Sequence, residues 1–168
     1  MIIRLANLLD IEPIMQLIAQ VVPVMNASGN FQWDNTYPTV EVFRNDIALQ
    51  QLWVAEVDGK VAGVTAITTD QAAEYASVGM DINQTAIVTH RLAVGLDYRG
   101  LHIAEALLKQ AETVARSRGI LILRIDTNSN NKATRKLFPK LGYEFAGEVG
   151  FSVRPNLRFY CYEKILSD

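Results

Sequence analysis

The segment His90-Arg91-Leu92-Ala93-Val94-Gly95-Leu96-Asp97-Tyr98-Arg99-Gly100-Leu101-His102-Ile103-Ala104 carries the chain from a strand through a short turn into a helix. Ala86–Val94 is apolar on both faces, as the central strand of a covered sheet is. Downstream, Ile103, Leu107, Ala111 and Val114 recur at helical spacing within Leu101–Arg118, and Gly119 supplies the stop. A helix that starts directly after a strand end leaves its first N–H groups without intrahelical partners, in a positive field. A phosphate suits that place, with Gly100 letting the backbone approach and Arg99 adding a cation. The same residues would also serve an ordinary strand–turn–helix junction with glycine at its turn.

Outward from this segment the pattern alternates between periods. Upstream, Leu52–Val57 and Val61–Thr68 flank Asp58-Gly59, a hairpin signal. Before them come a first strand, Ile2–Leu5, and a helix capped by Asp10 that runs to about Val22 with Pro13 in its first turn. Residues 23–38 read as loop, and Thr39 caps a second helix through about Gln50. Residues 70–84 are irregular and polar. Downstream, Ile120–Ile125 is a buried strand, 128–131 a turn, Lys132–Leu141 a short helix, and Tyr143–Ala146 and Arg158–Leu166 are closing strands. The prediction is an α/β chain of the α+β, mixed-sheet kind, with residues 1–168 as one domain.

Composition narrows the function classes. The 168 residues carry 16 basic and 18 acidic side chains for a net charge of −2, which gives no nucleic-acid footprint. The lone Cys161 excludes an internal disulfide framework and reads as a buried strand residue. Two separate histidines and one cysteine make no metal site. No leader-like N-terminus and no apolar run of membrane-spanning length stand out, so no membrane partner is expected and the cytoplasm is the expected location. No Gly-x-x-x-x-Gly-Lys-[Ser/Thr] occurs, and no Gly-x-Gly-x-x-Gly follows the first strand, which disfavours a nucleotide-binding domain.

The strand–turn–helix segment resembles the acetyl-CoA-binding motif of the GCN5-related N-acetyltransferase (GNAT) family, [Gln/Arg]-x-x-Gly-x-[Gly/Ala] after a hydrophobic strand. Arg99 and Ala104 match its outer positions, Gly100 matches a common accessory glycine, and His102 stands where the middle glycine usually sits. Asn131-x-x-Thr134-x-x-Leu137-Phe138-x-x-x-Gly142-Tyr143 resembles a second family segment, Asn-x-x-Ala-x-x-Leu-Tyr-x-x-x-Gly-Phe. The order of elements along nearly the whole chain is also the family's. The resemblance implies a GNAT fold: a central, mostly antiparallel sheet, splayed at the motif strand, with helices on both faces.

It also implies transfer of an acetyl group from acetyl-CoA to a primary amine of a small molecule or peptide, by direct attack in a ternary complex, without a metal. Leu92, Ala93, Val94, Arg99, Gly100, Leu101, His102, Ile103, Ala104 and Asn131 would hold the donor. His90 is the preferred base, since an arriving ammonium must lose a proton. Strict alternation puts His90, Leu92 and Val94 on one face. A histidine at this offset helps remove the amine proton in the arylalkylamine members of the family; the residue would equally fit as a structural histidine within the sheet. The family's thiolate-protonating tyrosine is here Phe138, which has no proton to give. Tyr160 is the first substitute, ahead of Tyr143 and Tyr162, and a thiolate leaving with solvent protonation needs none of them. Trp33, Tyr37, Glu74 and Tyr75 belong to the segments expected to wall the acceptor, with Trp33 and Tyr37 suited to caging a cation or to packing. A non-catalytic acyl-CoA-binding module, a protein N-terminal acetyltransferase and a protein–protein adaptor are the alternatives, and a homodimer is left open.

Overall fold

Asp58 and Gly59 both take positive φ, 49° and 75°, as a two-residue type I′ hairpin turn requires. They join β2 (Leu52–Val57) to β3 (Lys60–Thr68) in the computed structural model, which describes residues 1–168. The other strands are β1 (Ile2–Leu5), β4 (Ile87–Val94), β5 (Ile122–Asn128), β6 (Glu144–Phe151) and β7 (Arg154–Ile165). They form one seven-stranded sheet in the order β1-β2-β3-β4-β5-β7-β6. Every neighbouring pair is antiparallel except β4–β5.

Helices cover both faces. On one, α1 (Ile11–Ala27) and α2 (Val40–Ala48) bury Ile14, Leu17, Ile18 and Phe43 against Val64, Ala66 and Ala93. On the other, α3 (Ile103–Ser117) and α4 (Lys132–Lys140) set Leu108, Ala111 and Phe138 against Ile67, Ile87, Leu123 and Ile125. The stripe predicted for the motif helix is the stripe that packs: Ile103, Leu107, Ala111 and Val114 are all buried.

Four local expectations need correction. Asp10 does not cap α1 with its side chain; its carboxylate accepts from Asn7 N–H, the reciprocal half of a capping box around the preceding 3₁₀ turn. Arg4 grips its carboxylate at 2.8 and 2.9 Å, which together with the Asn7 N–H outweighs burial and lowers the Asp10 pKa. Asn7 is the cap instead, accepting from Leu9 N. Helix α1 continues past Val22 to Ala27 with Pro23 in its exposed interior, because Val21, Val22 and Met25 extend the apolar stripe. With the preceding 3₁₀ turn, Leu8–Ala27 makes a 20-residue segment long and apolar enough by length and composition to cross a membrane; here its stripe lies on the sheet. Helix α3 opens at Ile103, two positions after Leu101. Strands β6 and β7 are a longer hairpin than the sequence indicated, since their apparent breakers sit at register shifts. One of these, Gly147, is there because a β-carbon would meet Val78 Cγ1 at 2.6 Å.

Candidate active site

Strands β4 and β5 are registered only at Ile87↔Leu123 and Val88↔Arg124. Both run on, to Val94 and Asn128, without pairing further, so the sheet opens into a wedge. On its other edge β4 stays bound to β3, and Gly95 N–H bonds back to Ala62 O at 2.8 Å. Alternation along an antiparallel ladder then turns the Val94 N–H away from β3 and into the wedge. A donor fixed there is preorganised to bond an oxygen on which negative charge develops.

The wedge opens onto the start of α3. His102 occupies the N-cap at φ 59°, ψ 29°, and its side chain caps no N–H. The first helical bond runs from Ala106 N–H to His102 O at 3.0 Å, so the N–H groups of Ile103, Ala104 and Glu105 have no partner within the helix. The left-handed backbone explains why glycine is usual at this position of the motif, and histidine is among the residues that tolerate it. The imidazole points outward, 73% exposed, beside Glu105. Gly100 also has positive φ, 81°.

A cleft of about 780 Å³ joins the wedge to this helix start. All the expected donor-side residues line it except Leu101, which is turned outward and is 51% exposed. Arg99, Lys132 and Lys140 place cations on its rim. Asn131 caps α4 by accepting from Thr134 N at 3.2 Å, so its carboxamide oxygen is committed and its NH₂ is left for the cleft.

A parted strand edge, unpartnered amides and a cationic rim in one cleft fit a phosphate-bearing acyl donor. The family model described as "Acetyltransferase (GNAT) family" matches residues 20–143. The chain belongs to this family. GNAT proteins are acetyltransferase enzymes, and solved relatives agree: a GNAT-family acetyltransferase from Streptococcus agalactiae superposes with TM-score 0.84 at 26% identity, covering 99% of this chain and 96% of that one. A ribosomal-protein-alanine N-acetyltransferase from Brucella melitensis shares the fold, with TM-score 0.71 at 22% identity over 99% of this chain and 100% of that one. A curated relative, "Probable N-acetyltransferase camello" of Xenopus tropicalis, is 28% identical over 92 residues, 55% of this chain and 37% of that protein. The match therefore spans little more than a third of that relative's length.

The acceptor side of this GNAT chain differs from the expectation in one respect that matters. Register shifts between Val64 and Ala66 place Arg91 in a bulge at φ 55°. The bulge inverts the alternation: His90 pairs with Ala66 on the α1–α2 face, while Leu92 and Val94 pack toward α3. His90 therefore does not share a face with Leu92 and Val94, though it lines the same cleft. Its Nε2 lies 3.0 Å from Asp70 O; a carbonyl can only accept, so Nε2 carries the proton and Nδ1 is the accepting nitrogen of the neutral ring. Arg91 itself is spent on Asp46, at 2.7 and 2.8 Å, and on the Tyr37 hydroxyl at 3.2 Å.

The remaining candidates separate. Trp33 is buried and lines the cleft; Tyr37 packs beside Trp33 without lining it. Glu74 and Tyr75 lie in a 3₁₀ turn, Ala73–Val78, where Tyr75 is fully buried and only its hydroxyl reaches inward. Tyr160 lies on the α3–α4 face under the Arg135 guanidinium, 4.5 Å from ring centroid to Cζ, and is not part of the cleft wall. Phe138 is 1% exposed, its ring 5.9 Å from Tyr143 and 5.3 Å from Tyr162, so it holds its position by packing. Burial raises the pKa of both tyrosines, which makes neither a readier acid. Burial likewise, with Asp126 nearby, pushes the Cys161 thiol up to about 12 and leaves it inert.

Asp126 escaped the sequence reading. It sits on β5 across the wedge from His90, on the same sheet face, and accepts from Tyr75 Oη at 2.5 Å. Its signal was a polar row, Arg124, Asp126 and Asn128, alternating with Leu123, Ile125 and Thr127 in a strand otherwise sealed by helices.

Proposed function

We propose that the chain, acting as one domain over residues 1–168 and in the cytoplasm, transfers the acetyl group of acetyl-CoA to a primary amine of a small molecule or peptide. The observation that supports this best is the wedge, where β4 parts from β5 beside the uncapped start of α3. The donor's pyrophosphate would lie against the N–H groups around residues 99–104, with Asn131 and the wedge-facing Val94 N–H along its arm. The donor supplies an activated acyl group; the chain's own residues bind, orient and move the proton.

The amine arrives as an ammonium ion. His90 takes one proton on Nδ1 and passes it to solvent, which frees the nitrogen lone pair for attack at the acyl carbon. The carbon–sulfur bond then breaks, and the second proton leaves nitrogen for the departing thiolate. Amide, thiol and one released proton balance the step. Phe138 takes no part in this proton traffic, and Tyr160 lies under the Arg135 guanidinium outside the cleft wall, so the thiolate draws its proton from the reacting nitrogen or solvent. Positioning two substrates in one cleft provides most of the acceleration.

The test is a screen in which acetyl-CoA is offered with amines, polyamines, amino acids and peptides while thiol release and thermal stability are followed. Amine-dependent thiol release together with stabilisation by CoA is the expected outcome. Stabilisation without turnover of any acceptor would favour a non-catalytic acyl-CoA-binding module, the reading that Phe138 at the acid position supports.

A further inference from the structure

We propose that Asp126 receives the ammonium group of the acceptor, and that this acceptor is a primary amine carried on an apolar body. The proposal rests on the acetyl-transfer reading and names the substrate class of the same site.

The wedge passes through the sheet, and its two mouths are chemically unlike. On the α3–α4 face lie the cationic rim and the unpartnered amides. On the α1–α2 face the segment after α1 crosses the opening: Asn128 N–H donates to Gln32 Oε1 at 3.2 Å, and Asn130 Nδ2 to Gly29 O at 3.2 Å. Val21 and Met25 of α1 and Trp33 of the crossing segment line the cleft as an apolar patch, beside the polar Ser28, Asn30 and Gln32. His90 and Asp126 face each other at the bottom, one from each diverging strand. A pocket that is apolar along its side and carboxylate-bearing at its base selects a hydrophobic body with a cationic end.

Asp126 is arranged to hold such an end. Tyr75 fixes Oδ2, and no group of the chain bonds Oδ1; the only buried side-chain polar atom without a partner is Tyr143 Oη, so Oδ1 keeps access to the cleft. No lysine or arginine of the chain bonds it, and the basic group that acts on it is the His90 imidazole across the wedge. Arg124, two residues along, is committed to Glu163 at 2.8 Å, to Gln71 and to Asp81 O. The ionisable groups around it are Tyr75 from the 3₁₀ turn, His90 from β4, Cys161 from β7 and Arg124 on its own strand. Burial raises the Asp126 pKa, against the opposing effects of the Tyr75 hydrogen bond and the His90 charge. A carboxylate whose folded pKa is raised binds more protons folded than unfolded, so its ionisation above that window costs stability. An incoming ammonium supplies the missing counter-charge.

The experiment titrates CoA-loaded protein with hexylamine, hexan-1-ol and putrescine by calorimetry, and measures hexylamine-dependent thiol release in wild type, Asp126→Asn and Tyr75→Phe. Wild type should bind hexylamine at least about tenfold more tightly than hexanol, one charge-assisted hydrogen bond's worth, and than putrescine, whose second charge meets the apolar wall. Asp126→Asn should erase the preference for amine over alcohol, raise KM for hexylamine about 10- to 100-fold with KM for acetyl-CoA unchanged, and leave Tm equal or higher. Tyr75→Phe should move KM the same way by less. A lower Tm with unchanged KM would make Asp126 a structural residue and overturn the proposal, as would equal wild-type binding of amine and alcohol, a measurement that needs no variant to fold. If hexylamine binds through Asp126 but no thiol is released, the site stands and the acetyl-transfer reading falls.

Discussion

The two mouths of the wedge are built from different materials. The α3 side is backbone: amides freed by the start of a helix and by the parting of β4 from β5, with Gly100 and the left-handed His102 shaping the turn. The α1 side is side chain: His90, Asp126, Trp33 and the hydroxyl of Tyr75, delivered by four separate segments. Backbone presents the same groups whatever the residue, so a donor common to many enzymes is held by the part least sensitive to sequence. Side chains carry identity, so the acceptor is read by the part most sensitive to it.

The largest effect should come from attacking the backbone side with charge. Gly100→Glu should abolish stabilisation by CoA in a thermal-shift assay, because it sets an anion against the phosphates. Gly100→Gln shares the strain of φ 81° without the charge, and should retain part of the stabilisation. Equal losses in the two would mean that conformation, not electrostatics, governs this mouth.

On the side-chain mouth, His90→Ala should lower kcat by about 10²-fold with CoA binding unchanged. The loss should shrink as pH rises, since a growing share of the amine then arrives neutral. Equal loss at every pH, or a fall in Tm without it, would make His90 a structural member of the sheet held by Asp70 O.

Between the mouths sits Phe138. Phe138→Tyr should leave turnover equal or raise it, while the added hydroxyl, unless it opens into the cleft, costs about 1–3 kcal/mol in denaturant unfolding. A collapse of activity in the folded variant would show that the ring does more than pack. The smallest change lies outside both. Tyr143 Oη is buried without a partner, so Tyr143→Phe should stabilise the fold by roughly 1 kcal/mol, or about 2–4 °C in Tm, with kinetics untouched.

The same division explains what could be read beforehand. The apolar run of Ala86–Val94, the stripe of α3 and the Asp58-Gly59 hairpin are local periodicities, and each survives in the structure. The splayed sheet came from the resemblance those residues carry. What failed was non-local. No short-range signal at Arg91 announces a bulge, because the reason for it lies in Asp46 on α2, 45 positions earlier. Unbroken alternation puts His90 on the face of Leu92, and the bulge turns it to the other. Asp10 failed alike: as a cap it had the right chemistry, but Arg4 on the first strand competes for its carboxylate and wins. Tyr75 and Asp126 are 51 positions apart, and only the fold makes them neighbours.

The open wedge also acts as a clock. The Val94 amide belongs to a strand in the middle of a seven-stranded sheet, yet it faces the side where pairing has stopped. Its deuterium uptake therefore reports on the wedge itself and not on unfolding of the sheet. Ala93, one residue earlier and turned toward β3, serves as the built-in reference. The ratio of their exchange rates reads occupancy of the gap directly, in a protein whose acceptor need not be known.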